Sequence, residues 1–266
     1  MRLPRSISNG LITLLRDGSA WLGYLWLVLP SLIVVPISFG DKNEFIFPPE
    51  RWSFFLYEKI ISDRGWMDSI GLSVVLAVIS AVLAVIIGIG AAYAASRSTC
   101  SGKGAISGLL LSPMFVPHIV LALGLYLYFG QLKLTGTFLS LIIAHTVLSL
   151  PFVIVTLLAG LQQVDVSLEN VSRVMGASRL TILRSVTLPL LRPSIVAAGA
   201  FAFLLSFDEV VVSYFLASPA YQPLPVKMYS SIMFELSPVL AAISTLLTVL
   251  SLAICLFVAV PKEKSR

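Results

Sequence analysis

The sequence predicts an all-α polytopic membrane protein with six transmembrane helices. Of its 266 residues, 58% are hydrophobic and 12% are charged, whereas soluble domains have about 45 to 50% apolar and about 25% charged residues. Several apolar stretches are longer than the roughly 20 residues that cross a hydrocarbon core. These stretches do not alternate apolar and polar side chains as the strands of a membrane β-barrel do, so the spanning elements are expected to be helices.

Stretches without charge define the six spans, because an ionised group at mid-bilayer costs about 2.5 to 3.5 kcal/mol. The predicted spans are residues 20–39, 69–95, 105–130, 137–160, 194–217 and 238–260. The fifth is the one with acidic residues, Asp208 and Glu209. The predicted organisation is a cytoplasmic N-terminal segment (1–19), the first span, an outer loop (40–68), a five-helix core (69–260) that contains a cytoplasmic loop (161–193), and a cytoplasmic tail (261–266).

The first span follows three arginines, as the apolar part of a secretory signal would. Signal segments are shorter and end in small residues, whereas this run ends with Ile37-Ser38-Phe39-Gly40. We therefore expect an uncleaved membrane anchor.

The basic residues predict the orientation. With both termini in the cytoplasm, the cytoplasmic pieces hold 12 Lys and Arg residues and the outer loops hold 6. The positive-inside rule favours this arrangement. Topology alone accounts for the asymmetry, so no nucleic-acid partner is expected.

Enzyme chemistry has little support in the sequence. His118 and His145 lie in apolar segments, without a second His or Cys at metal-ligand spacing. The chain contains no G-x-S-x-G motif. Gly102-Lys103 is followed by Gly104 rather than the Ser or Thr of a phosphate-binding loop. We expect no metal, no cofactor and no enzymatic activity on this chain.

The cytoplasmic loop predicts a helix, a sharp turn and a second helix. Asp165 can cap a first helix, which Gly176 would end in the left-handed conformation. Ser178 can cap a second helix, expected to end near Pro189 because the residue before a proline disfavours the α conformation. Leu168, Val171 and Met175 share one face of the first helix and Leu180, Leu183 and Val186 recur in the second. Composition alone also allows an amphipathic pair lying on the membrane, with its four arginines, Arg173, Arg179, Arg184 and Arg192, against anionic lipid.

The spacing in this loop resembles that of permease subunits of binding-protein-dependent ABC importers. Their signature is Glu-Ala-Ala, three residues, Gly, nine residues, Ile, one residue and Leu-Pro. Here Gly176 is followed after nine residues by Val186, then Thr187 and Leu188-Pro189. Asn170-Val171-Ser172 stand where the family has Glu-Ala-Ala, and Glu169 lies one position earlier.

The resemblance implies the type I ABC importer permease fold and a loop that contacts a partner ATPase. In that family the glutamate makes the polar contact, which here would come from Asn170 or from the shifted Glu169. The implied coupling residues are Glu169, Asn170, Val171, Ser172, Gly176, Ala177, Leu188 and Pro189.

The resemblance also implies partners and a location. These are two ATP-binding subunits that carry ATP and Mg, a second permease subunit that is related rather than identical, and a periplasmic solute-binding protein. The expected location is the lipid bilayer of the bacterial inner membrane.

Two further runs, Leu205 to Phe215 and Leu224 to Ser230, resemble the spermidine/putrescine (PotC-type) branch of this family. The implied cargo is a small cationic solute such as a polyamine, with a γ-aminobutyrate-like amino acid or an opine as alternatives. An ion-coupled secondary transporter is less favoured, because such folds usually have internal repeats and helices broken at the midplane.

The candidate path residues are Asp208, Glu209, Ser206 and Tyr214. An intramembrane acid is costly and usually functional. Adjacent helical positions differ by about 100°, so we expect Asp208 to line the path and Glu209 to lie near a neighbouring helix. The alternative is that both acids make structural contacts between subunits.

Overall fold

The computed structural model describes residues 5–97 and 102–259, which form helices, turns and one isolated bridge between Ser218 and Tyr221. The α-helices are α1 (Arg5–Ile37), α2 (Phe55–Ser62), α3 (Arg64–Arg97), α4 (Lys103–Leu111), α5 (His118–Gln131), α6 (Phe138–Gln162), α7 (Val166–Val174), α8 (Arg179–Ile182), α9 (Leu188–Phe207), α10 (Val211–Leu216), α11 (Leu224–Phe234) and α12 (Val239–Ala259). A 3₁₀ turn (Ser112–Phe115) lies before α5, and a π turn (Leu183–Thr187) joins α8 to α9.

In the described residues, five helices are long and apolar enough to cross a membrane, and a sixth span exists if one bent helix pair is counted as a single span. This agrees in number with the six predicted spans. The segments of the third and fifth spans are not continuous helices, however, and that difference determines where the polar residues lie.

The chain divides into two compact units, residues 1–63 with 235–252 and residues 64–234 with 253–266. In the first unit, Phe39 packs against the rings of Trp52, Phe54 and Tyr57 after the end of α1. The Ser38 hydroxyl lies 2.8 Å from the Tyr57 hydroxyl. The segment after α1 is thus held to α2 by aromatic contacts and one buried polar contact.

The second unit is built on α3, α6 and α9. Their contact is lined by small and aliphatic side chains, which let membrane helices approach closely when lipid supplies no hydrophobic force between them. The buried members are Ala81, Ala84, Ala92, Val153, Leu157, Leu161, Leu191, Ala198 and Ala202. A second buried cluster joins α3 and α6 to α5 and α10 through Leu76, Ala122, Phe129, Leu141, Ala144, Val212 and Leu216.

The third predicted span is sharply bent. The helical segments 108–115 and 118–131 meet at 113°. Val116 is extended between them (φ −87°, ψ 128°) and Pro117 precedes the first residue of α5. Steric hindrance from the proline ring moves the preceding residue out of the α conformation, so the predicted single crossing 105–130 consists of two helices.

The fifth predicted span is also interrupted. α9 ends at Phe207, and residues 208–210 separate it from the short helix α10. The sequence reasoning treated Asp208 and Glu209 as adjacent positions of one helix, and that premise is wrong.

The second helix of the cytoplasmic loop does not end near Pro189, as the sequence predicted. α8 continues through the π turn into α9, with the Leu188 N–H donating to the Leu183 carbonyl. Pro189 follows directly after the π turn, in the first turn of α9, and has no N–H to donate to the preceding turn. Leu188 and Pro189 therefore begin a membrane helix rather than end a surface helix.

We expect Gly160→Ala to destabilise the protein. The added methyl group would lie 2.5 Å from Ser194 Cβ and 2.8 Å from Leu191 Cδ1, where α6 approaches α9. Overpacking of this kind costs about 1 to 3 kcal/mol. Thermal unfolding of the purified protein measures the loss. Gly90→Ala is the matched control, because nothing lies within 4 Å of the new methyl position; equal unfolding midpoints for the two variants would contradict the close approach.

Candidate functional site

The first candidate site is the helix pair α7–α8. The start of each helix is capped by a nearby side chain, as the sequence predicted. The Asp165 carboxylate accepts from the Ser167 N–H at 2.8 Å, and this hydrogen bond lowers the pKa of Asp165 below its usual value. The Ser178 hydroxyl accepts from the Thr181 N–H at 3.2 Å. Both caps supply acceptors for N–H groups that have no intrahelical partner.

Gly176 ends α7 with φ +87°. The Gly176 N–H donates to the Arg173 carbonyl and the Ala177 N–H donates to the Ser172 carbonyl, each at 3.0 Å. These two bonds form a Schellman motif, which favours glycine at the left-handed position. The sharp turn predicted from Gly176 is therefore present.

One face of the helix pair is apolar and exposed. Val174 is 89% exposed and Met175 is 82% exposed, and Leu168, Val171 and Leu180 are also exposed. Exposed apolar groups that cluster in this way mark a surface that contacts another protein or a membrane. Asn170 is nearby and exposed, and its side-chain oxygen accepts from Arg173. Ser172 is half-buried, and its hydroxyl donates to the Leu168 carbonyl.

Glu169 does not lie on that exposed face. It is 1% exposed, and Arg97 Nε lies 3.2 Å from each of its carboxylate oxygens. The Thr187 hydroxyl donates to Glu169 Oε1 at 3.0 Å. Of the two residues that the sequence leaves open for a polar contact with a partner, Glu169 is engaged inside the chain and Asn170 is exposed.

The second candidate site surrounds the interruption between α9 and α10, and we call it the break cluster: His118, His145, Ser206, Asp208, Glu209 and Ser213. Glu209 Oε1 accepts from the Val212 N–H at 2.9 Å, and Glu209 Oε2 lies 3.5 Å from His118 Nδ1. Glu209 thus caps α10 and faces the first residue of α5, where the bent third span begins its second helix.

Asp208, the other acid in the cluster, is exposed. Its N–H donates to the Leu204 carbonyl, and among the described residues its carboxylate has no hydrogen-bond or ion-pair partner. Tyr214, also exposed, packs edge-on against Tyr229 with ring centroids 5.4 Å apart. The cluster therefore presents a free carboxylate and, further along α10, an exposed aromatic ring.

Ser206 is the candidate path residue that lies inside the chain. It is buried, and its hydroxyl lies 2.7 Å from His145 Nδ1, while the Ser213 hydroxyl lies 2.8 Å from His145 Nε2. A neutral imidazole has one donor and one acceptor nitrogen, so it can bond both hydroxyls. His145 on α6 therefore connects the two helices on either side of the interruption.

Sequence reasoning did not assign roles to Arg97, Thr187 or Ser213. One pattern in the sequence could have indicated an ion pair at Arg97. A single arginine follows the second apolar span, and two acidic residues lie in the otherwise basic loop at 161–193. No signal in the sequence paired His145 with serines 61 and 68 positions away.

Comparison with known proteins adds a family match. Residues 84–263 match the family model described as "Binding-protein-dependent transport system inner membrane component". The match includes α4 to α12 and therefore contains both candidate sites.

Individual relatives and one solved structure agree with this match. The chain is 36% identical over 242 residues to the spermidine/putrescine transport system permease protein PotC of Escherichia coli K12, covering 90% of each chain. It is 28% identical to the putrescine transport system permease protein PotI of the same organism, covering 85% of this chain and 83% of that protein. It superposes with a TM-score of 0.76 on a bacterial ABC transporter that imports alginate, at 16% identity and covering 97% and 98% of the two chains.

We expect His145→Leu to lower stability by about 1 to 3 kcal/mol, because buried Ser206 and Ser213 would lose their partner. Thermal unfolding of the purified protein tests this. Ser149→Ala is the matched control, since Ser149 lies one turn further along α6, is equally buried, and has no hydrogen-bond partner for its hydroxyl within the described part of the chain. A loss as large for Ser149→Ala would refute a specific role for His145.

Proposed function

The chain belongs to the family of inner membrane components of binding-protein-dependent transport systems, and from this premise we propose that it carries a polyamine through a bacterial ABC importer. The membership confirms the family resemblance and the type I permease fold expected from the sequence. The chain is therefore a transport subunit, and its family consists of multi-pass membrane proteins.

The helix pair α7–α8 is the surface proposed to bind an ATPase subunit. Its exposed apolar face has the character of an interface core, and Asn170 lies at its edge to make a polar contact. The Schellman turn at Gly176 and the two capped helix starts hold this surface in one conformation. A preorganised surface can transmit motion when the ATPase binds nucleotide.

The solute class is proposed from the break cluster and the relatives. Polyamines carry several ammonium groups, which are bound by carboxylates and by aromatic faces. Asp208 offers a carboxylate without a partner in the described residues, and Tyr214 offers an exposed ring. Of the relatives named above, one belongs to a spermidine/putrescine transport system and the other to a putrescine transport system. The free Asp208 carboxylate is the observation on which the assignment to a cationic solute depends.

The interruption between α9 and α10 also supports a transport role. Helices break within a membrane where they line a cavity or meet other protein groups that satisfy the freed backbone. Here the Glu209 side chain accepts from the Val212 N–H, and Asp208 stays exposed beside it. Two arrangements of the helices around such a path, biased by ATP in partner subunits, would alternate access to it.

The proposed assembly has two ATP-binding subunits that hold ATP and Mg, a second related permease subunit and a periplasmic binding protein. The family name supports the binding protein. The excess of Lys and Arg in the cytoplasmic segments supports cytoplasmic termini. No cofactor is proposed for this chain itself.

Uptake measurements test the solute class. The complete importer, reconstituted in proteoliposomes with its binding protein and internal ATP, should accumulate labelled putrescine or spermidine and should continue when the proton gradient is collapsed. Labelled γ-aminobutyrate is the comparison solute. Accumulation of γ-aminobutyrate without polyamine uptake would refute the proposal, and loss of uptake with the proton gradient would favour an ion-coupled transporter.

We expect Asp208→Asn to reduce polyamine uptake about tenfold, as for the loss of one hydrogen bond to a charged group. Asp208→Glu, which keeps the charge, is the matched control and should retain more uptake. ATPase activity and the amount of assembled complex are measured in parallel. Unchanged uptake by Asp208→Asn in a normally assembled importer would exclude Asp208 from the path.

A further inference from the structure

A buried ion pair connects the helix pair α7–α8 to the membrane helices. Glu169 is the buried residue of α7, and the rest of that helix is exposed or half-buried. Glu169 is thus the side chain by which α7 reaches into the interior of its own unit. Its partner, Arg97, is the last residue of α3.

Arg97 contacts more than Glu169. Its Nη2 donates to the carbonyls of Leu161 and Val164 at the end of α6, at 3.3 and 3.2 Å, and its Nη1 donates to the Ser96 hydroxyl at 3.1 Å. The rigid guanidinium can serve several acceptors in fixed directions, which an ammonium cannot. α3, the end of α6 and α7 therefore meet at one side chain.

Thr187 adds the start of α9 to this group. It is fully buried and is the last residue of the π turn that leads into α9. π turns are rare, and they occur frequently at functional sites. Here the turn ends at the residue whose hydroxyl donates to Glu169 Oε1.

From these contacts we infer that Arg97, Glu169 and Thr187 form the joint through which α7 moves together with α3, α6 and α9. The three helices form the core of their unit, so a displacement of α7 by a bound ATPase would be carried to all of them at once. This inference depends on the proposed role of α7–α8 as the ATPase surface. The three residues are positioning residues, since they act through the helices they hold.

The test is the number of solute molecules transported per ATP hydrolysed by the reconstituted importer. Glu169→Gln keeps the shape of the side chain and removes its charge. We expect it to assemble and hydrolyse ATP while transport per ATP falls about tenfold, within the usual range for energetic coupling between sites. Failure of Glu169→Gln to assemble, or a ratio equal to that of the wild type, would overturn the inference.

A double variant, Arg97→Met with Glu169→Met, separates coupling from stability. Replacing both members of a buried ion pair by apolar side chains is often neutral or stabilising. We expect this variant to assemble with a low transport ratio, whereas a purely structural role predicts a restored ratio. Arg192→Gln removes a charge from exposed Arg192 near the start of α9, outside the joint, and should keep the wild-type ratio.

The two proposals fail in different ways. If the wild-type importer transports another solute instead of polyamines, the solute assignment fails and the transport ratio is measured with that solute. If the wild type transports polyamines and both joint variants keep its ratio, the joint fails and the proposed function stands.

Discussion

Backbone polar groups in the apolar helices of this protein must be bonded to protein groups, because hydrocarbon provides no partners. Polar side chains lie at two of the places where regular helix is lost, the interruption between α9 and α10 and the π turn. Glu209 accepts from the backbone of α10, His145 bonds the serines on both sides of the same interruption, and Thr187 at the end of the π turn donates to Glu169. These polar side chains therefore act where the backbone departs from a regular helix.

This constraint gives the acids in the second unit different roles. Glu169 and Glu209 are occupied by donors from their own chain, and each stabilises an irregular part of the structure. Asp208 is exposed, with no partner for its carboxylate in the described residues. A charge that remains available next to an interrupted helix is suited to binding a cation, whereas a charge that is already satisfied is suited to holding helices in place.

The parts of the candidate sites that depend on neighbouring residues could be predicted from the sequence. The caps at Asp165 and Ser178 and the left-handed turn at Gly176 follow from side-chain and backbone groups within a few positions of each other. The contacts of Glu169 and Ser206 could not be predicted this way, since their partners lie 72 and 61 positions away. The prediction for Pro189 was wrong because it assumed that the residue before a proline ends a helix. In the structure the π turn precedes this proline, which lies in the first turn of α9.

The sequence by itself determined the class of protein, the apolar spans, and the two helix starts and the turn of the cytoplasmic loop, because charge, apolar length and capping are local properties. The tertiary structure decided which acids are paired, where the third and fifth spans break, and how α7 is attached to the membrane helices. These features depend on which helices lie side by side. That arrangement is set by close packing of small and aliphatic residues on α3, α6 and α9. The spacing of such residues along one helix can mark its packed face, but it does not identify the helix that packs there.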